Sequence, residues 1–108
     1  MDVKSFEKEG VLVFQVNGEI NISTSSELKK QFEKQPLKKV VVDLEKVNYI
    51  DSSGLATLVE ILKRTKMQSG ALGLACMSDK VKSLFEITKL DKLFQIFSTQ
   101  DEAVSKVK

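Results

Sequence analysis

The hydrophobic positions at the start of the chain follow the alternation that is typical of β-strands. Residues 3–7 (VKSFE) alternate apolar and polar side chains, and residues 11–16 (VLVFQV) form a stronger run of the same kind. Residues 8–10 (KEG) can turn, so we predict an N-terminal β-hairpin. Residues 17–18 (NG) are predicted to form either a second tight turn or the end of the second strand.

After the hairpin, the pattern alternates between helical and strand periodicity. The resulting order, ββαβαβαβα, predicts an α/β fold in which helices pack on a mixed β-sheet with parallel crossovers. No linker interrupts the pattern, and the length of 108 residues suits a single domain over residues 1–108. The predicted helices cover residues 23–32, 55–68, 79–88 and the end of the chain to Val107, and the predicted strands cover 39–44, 71–76 and 93–97.

Helix boundaries are marked by residues that satisfy free backbone groups. Thr24 with Glu27, and Thr99 with Glu102, have the spacing of a capping box, and Ser78 is a predicted N-cap. Pro36 is predicted to end the first helix, and Gly70 is predicted to end the second.

Composition limits the classes of function. Charged residues make up 30% of the chain with a net charge of only +2, which argues against a nucleic-acid-binding surface. There is no His and only one Cys, so His-based metal sites, internal disulfides and triads with an imidazole base are excluded. We therefore expect neither an enzyme nor a cofactor.

The first ten residues contain no apolar signal-peptide segment, and the apolar runs are too short to span a membrane. We expect a cytoplasmic protein. A monomer is compatible with the sequence, which leaves the oligomeric state open.

Residues 51–55 (DSSGL) stand where a predicted buried strand passes into a predicted helix. Ser and Asp are favoured N-caps, and a glycine allows the chain to turn closely, so helix capping is one interpretation. A helix N-terminus also stabilises a phosphate, so one of the serines is alternatively a phosphoacceptor. The segment is neither a GxSxG nucleophile motif nor a phosphate-binding loop.

Four stretches of the chain resemble a known family. They read VNGEIN (16–21), VVVDLEKVNYIDSSGLATL (40–58), GALGLACMSDKVKSLFE (70–86) and ITKLDKLFQIFSTQDEAV (87–104). Together they resemble the STAS domain of anti-sigma factor antagonists, from about Val11 to the end of the chain. The most specific feature is the DSSGL pentapeptide after a strand that contains the dipeptide DL.

The resemblance implies a phosphorylation switch. In that family, the serine at the position of Ser53, immediately before Gly54, is phosphorylated by an anti-sigma serine kinase of the GHKL type. The unphosphorylated protein binds the kinase and frees the sigma factor, and the phosphorylated protein releases the kinase. Ser52 corresponds to a variable position, and Asp51, Ser52 and Gly54 are expected to lie on the partner surface.

One residue departs from the family pattern. The family commonly has Asp where this chain has Asn21, close to the phosphoacceptor, so Asn21 is expected either to influence partner choice or to cap the first helix. Met77 and Ser78 are expected to join the same partner surface, although Met77 is equally compatible with a place in the core.

Two other functions remain open at this point. STAS domains also serve as accessory subunits of lipid-transport ABC systems and as parts of stress-sensing complexes, in which Ser53 would be a docking residue. Nucleotide binding at the helix N-terminus is a weaker third hypothesis, because the chain lacks a glycine-rich phosphate loop.

Overall fold

A computed structural model describes residues 1–35 and 38–108. In this part of the chain, five strands and four helices follow one another in the predicted order ββαβαβαβα. A short 3-10 turn, Leu90–Lys92, precedes the last strand. The strands are β1 (Asp2–Lys8), β2 (Val11–Ile20), β3 (Lys39–Ile50), β4 (Ala71–Ala75) and β5 (Gln95–Phe97), and the helices are α1 (Ser25–Glu33), α2 (Ser52–Met67), α3 (Asp79–Ile87) and α4 (Gln100–Val107).

The strands form one mixed sheet in the order β1-β2-β3-β4-β5. The β1–β2 pair is antiparallel and the other three pairs are parallel, so the predicted hairpin and crossovers are both confirmed. Glu9 and Gly10 join β1 to β2 with φ angles of 52° and 80°, the left-handed conformation that tight hairpin turns require.

The Asn17-Gly18 dipeptide is neither a separate turn nor the end of β2. It lies inside the strand, where the register with β3 shifts on both sides of it and Gly18 has a φ of 115°. These irregularities resemble β-bulges, which let a strand continue after a local change of twist. As a result, β2 continues to Ile20, which pairs with Ile50 at the end of β3.

Apolar side chains pack on both faces of the sheet. Val40 and Val42 of β3 belong to the larger cluster, which includes Leu28, Phe32 and residues of α2 and α3. Val41, between them, belongs to a second cluster that includes α4. Successive residues of a strand face opposite sides, so β3 is buried on both faces, as its continuous apolar run predicts.

Two of the predicted N-caps are confirmed. The Ser78 hydroxyl accepts a hydrogen bond of 3.2 Å from the N–H of Val81 at the start of α3. The Thr99 hydroxyl accepts one of 3.1 Å from the N–H of Glu102 in α4. In return, the Glu102 carboxylate accepts a hydrogen bond from the N–H of Ser98.

The capping box predicted at Thr24 and Glu27 is wrong. Thr24 precedes α1 with helical backbone angles, and its side chain makes no cap hydrogen bond to the helix. Its hydroxyl instead donates to the carbonyl of Glu19 at 2.8 Å and accepts from the N–H of Asn21 at 2.9 Å. The Thr24 side chain therefore forms its hydrogen bonds at the end of β2 and not in the first turn of α1.

The end of α2 also differs from the prediction. Ser69, not Gly70, adopts the left-handed conformation, with a φ of 56°. The N–H of Gly70 donates to the carbonyl of Thr65 at 2.8 Å, so Gly70 takes part in the cap through its backbone. A Cβ on Gly70 would lie 1.7 Å from the carbonyl oxygen of Lys38, which explains the glycine. Helix α1 ends at Glu33, and its predicted stop signal, Pro36, lies outside the described residues.

None of the helices in residues 1–35 and 38–108 has the length and apolarity needed to cross a membrane.

Candidate functional site at the start of helix α2

The DSSGL segment lies at the edge of the sheet where β2 and β3 end together. Ile20 and Ile50 are paired in parallel register at this edge, and the N–H of Asp51 donates to the carbonyl of Ile20 at 3.1 Å. Strand β4 stops earlier, opposite Asp43 of β3. The last part of β3 therefore carries the segment beyond β4, to the carboxyl ends of two parallel strands, where α/β folds commonly place their binding sites.

Asp51 is the N-cap of α2. Its Oδ1 accepts a hydrogen bond of 3.0 Å from the N–H of Gly54, which satisfies one of the free donors of the first helical turn. Its Oδ2 accepts a second hydrogen bond, of 3.1 Å, from the N–H of Ile22. A single carboxylate thus joins the start of α2 to the turn that follows β2.

Gly54 allows this helix start to lie directly against the two strand ends. A Cβ at this position would lie 2.5 Å from the carbonyl oxygen of Ile20 and 2.8 Å from the Cγ2 methyl groups of Ile20 and Ile50. These distances are shorter than any side chain tolerates, so the close approach requires glycine.

The two serines occupy the first turn of α2. Ser52 is exposed and Ser53 is half-buried. The carbonyl of Ser53 accepts a hydrogen bond of 3.0 Å from the hydroxyl of Thr57. Asp51 caps the helix, so the DSSGL segment acts as a cap without using the hydroxyl group of either serine.

Asn21 caps the turn that leads into α1. Its Oδ1 accepts hydrogen bonds from the N–H groups of Ser23 and Thr24, at 2.9 and 3.1 Å. Its Nδ2 donates to the carboxylate of Glu19 at 3.2 Å. Asn21 thus caps the turn before α1 and not α1 itself, whose N-cap position is Thr24. It lies next to Ile22, which is bonded to Asp51.

Met77 and Ser78 follow β4 and not the longer strands. Ser78 is exposed and caps α3, while Met77 is partly buried against the larger apolar cluster. Since β4 ends opposite Asp43, its register does not carry these residues to the level of Ile50. Described hydrogen bonds join Asp51 to Gly54 and to Ile22, which follows Asn21 in the chain. Neither Met77 nor Ser78 takes part in these two bonds, and the Ser78 side chain bonds to α3 instead.

The residue before Met77 is the single cysteine, Cys76. Burial raises the pKa of its thiol, and the negative charges of Asp43 and Glu45 raise the pKa further. The thiol is therefore protonated at neutral pH, a state that disfavours nucleophilic chemistry.

The site presents two serine hydroxyl groups in the first turn of α2. The hydroxyl groups of Ser52 and Ser53 have no imidazole to activate them, because the chain contains no His. Among the described residues, no group of three or more His, Cys, Asp or Glu side chains is arranged to hold a metal ion. What the site does present is a hydroxyl at the positive end of the 16-residue helix α2, where an added phosphate is stabilised.

One residue of this edge is absent from the sequence-based site. Ile22 is 75% exposed although it is large and apolar. Its hydrogen bond to Asp51 spans 29 positions of the chain, so no local pattern indicates it. The only signal in the sequence is its place directly after Asn21.

Comparisons with known proteins identify one family. Residues 3–103 match the family model of the STAS domain. The anti-sigma-B factor antagonist of Listeria monocytogenes is 31% identical over 105 residues, which cover 94% of this chain and 91% of that protein.

Solved structures agree as well. The crystal structure of a candidate anti-sigma factor antagonist from Thermotoga maritima superposes with a TM-score of 0.92 at 28% identity, covering 97% of this chain and 93% of that one. The Bacillus protein SpoIIAA in its phosphorylated form has the same fold, with a TM-score of 0.75 at 15% identity over 99% of this chain and 100% of that one. With the family match extending over nearly its whole length, this chain belongs to the STAS domain family.

Proposed function

We propose that this domain is an anti-sigma factor antagonist controlled by phosphorylation of Ser53. In its unphosphorylated form it binds an anti-sigma serine kinase of the GHKL type, and the sigma factor is released. Phosphorylation of Ser53 by the kinase ends the complex. The domain is then a substrate and a binding partner, not an enzyme.

The observation that supports this proposal is the division of roles between Asp51 and Ser53. Asp51 supplies the helix cap through its hydrogen bond to Gly54. The hydroxyl of Ser53 is therefore not needed to begin α2, and Ser53 is a half-buried residue in the first turn of the helix. A phosphate of about −1.5 to −2 charges placed there benefits from the free N–H groups and the helix dipole.

The relatives support the same role. The Listeria protein is named an anti-sigma-B factor antagonist, and SpoIIAA has been solved in an unphosphorylated and a phosphorylated form. The proposal extends both properties to this chain. It also assigns the partner surface to the residues around Ser53, namely Asn21, Asp51, Ser52 and Gly54.

The test is phosphorylation by the purified anti-sigma kinase encoded in the same genome. We expect mass spectrometry to find one phosphate on wild-type protein, located on Ser53. Ser53→Ala should take up none, and Ser52→Ala is the matched control that should still take up one phosphate, on Ser53. Phosphate on Ser52 alone would overturn the residue assignment. The absence of both phosphorylation and a complex with the kinase would overturn the proposed function and leave the accessory-subunit hypothesis standing.

A further inference from the structure

Ile22 is a large apolar side chain displayed to solvent on a turn whose backbone is fixed. Its own N–H donates to Oδ2 of Asp51 at 3.1 Å. The two N–H groups that follow, those of Ser23 and Thr24, donate to Oδ1 of Asn21. The backbone is thus held on both sides of Ile22, while 75% of the residue remains exposed.

Exposure alone does not distinguish Ile22, because isolated apolar residues are common on protein surfaces. Ile87 and Met67 are 78% and 84% exposed in the same molecule. Ile87 and Met67 are the last residues of α3 and α2, respectively. Ile22 differs from them in its place, because the carboxylate that holds it is the one that caps the helix bearing Ser53.

We propose that Ile22 is the apolar anchor of the complex between this domain and its anti-sigma kinase. The partner would receive the side chain in an apolar pocket beside the residues that contact Ser53. This inference rests on the proposed function and deepens it, because it names the residue that supplies affinity next to the one that is modified.

Two physical arguments support an anchor at this position. First, backbone hydrogen bonds already order the turn that carries Ile22, so binding costs little further backbone entropy and more of the side-chain burial contributes to affinity. Second, the carboxylate that bonds to Ile22 also caps the helix that contains Ser53, so a contact at Ile22 should be sensitive to phosphorylation. A phosphate introduced beside a dehydrated apolar contact would have to lose part of its hydration without gaining a partner, which weakens the complex.

Isothermal titration of the purified kinase with two matched variants tests the anchor. Ile22→Ala and Ile87→Ala make the same substitution at residues of nearly equal exposure, 75% and 78%. We expect Ile22→Ala to raise Kd at least about tenfold, as truncation of an interface anchor does, and Ile87→Ala to leave Kd within about twofold of wild type. Ile22→Thr retains β-branching, and therefore the backbone preference, and should weaken binding as well.

The outcomes separate this inference from the function on which it rests. If wild type binds the kinase and both Ile22 variants bind equally well, the anchor is overturned and the proposed function stands. If the wild-type protein itself fails to bind the kinase, both the proposed function and the anchor are overturned. Initial rates of Ser53 phosphorylation give a second measure, in which Ile22→Ala should raise KM and leave kcat unchanged; a change confined to kcat would contradict the anchor.

Discussion

The carboxylate of Asp51 accepts a hydrogen bond from the backbone N–H of Ile22, although 29 positions of the chain separate the two residues. The same carboxylate caps α2 through Gly54. The turn after β2 and the start of α2 are therefore a single structural unit, and this unit contains the candidate phosphoacceptor Ser53. Perturbing Asp51 should affect both of its parts.

Asp51→Ala should lower the free energy of unfolding by about 2 kcal/mol. Loss of an N-cap costs about 0.5–2 kcal/mol, and the N–H of Ile22 also loses its charged acceptor. Urea denaturation followed by circular dichroism measures the change. Asp79→Ala is the matched control, because Asp79 is an aspartate in the first turn of α3 but is not its cap. It should cost less than about 1 kcal/mol; equal losses would show that Asp51 acts only through the helix dipole.

Gly54→Ala should destabilise the domain although alanine favours helices by about 1 kcal/mol relative to glycine. The new methyl group would lie 2.5 Å from the carbonyl oxygen of Ile20, so the start of α2 must move away from the strand ends. We expect a net loss of at least about 2 kcal/mol in the same denaturation experiment, since overpacking typically costs about 1–3 kcal/mol and the obstacle here is backbone.

Ser52→Ala is the control for Gly54→Ala. It changes an exposed residue in the same helical turn and should alter stability by no more than about 0.5 kcal/mol. A stabilised Gly54→Ala protein would mean that the strand ends do not constrain the helix.

The order of the elements and several helix caps could be predicted from sequence because they depend on local information. Hydrophobic periodicity distinguishes helices from strands over a few residues, and the caps at Ser78 and Thr99 use bonds to residues three positions away. The position of DSSGL at the start of a helix follows from the same local signals.

The predictions that failed depend on contacts made elsewhere in the fold. Thr24 and Thr99 have the same spacing to a glutamate, yet only Thr99 caps its helix. The hydroxyl of Thr24 is bound by the carbonyl of Glu19, which is placed there by the extension of β2 through its register shifts. The hydrogen bond between Asp51 and Ile22 could not be predicted from local sequence either, because parallel pairing of β2 with β3 brings the two residues together.

Asn21→Asp, which restores the residue common in the family, should change partner affinity while the domain stays folded. Oδ1 can still accept from Ser23 and Thr24, so the turn is retained. The bond from Nδ2 to Glu19 is replaced by a repulsion between two carboxylates, an exposed pair that costs at most about 1 kcal/mol.

Titration of the kinase at low and high salt tests the effect of Asn21→Asp. The added charge should alter Kd more at low salt, because salt screens interactions between exposed charges. Asn17→Asp is the matched control, since Asn17 is exposed and lies between the two register shifts of β2, away from the strand end. Equal affinities for Asn21→Asp and wild type at both salt concentrations would show that Asn21 only caps its turn and does not influence partner affinity.

Ser53→Asp should separate regulation from stability. An aspartate at the second position of α2 is favoured by the helix dipole by about 0.3–1 kcal/mol, and this offsets repulsion from the neighbouring Asp51. The variant should therefore melt within a few degrees of wild type. Its complex with the kinase should be at least about tenfold weaker, a loss of about 1.4 kcal/mol, because a surface complementary to a neutral hydroxyl meets an uncompensated charge.

Ser53→Ala, which adds no charge, should bind like wild type and should not be released by ATP. Thermal melts and titration calorimetry on the three proteins decide the matter: a Ser53→Asp protein that is folded and binds like wild type would show that negative charge at this position is not the switch.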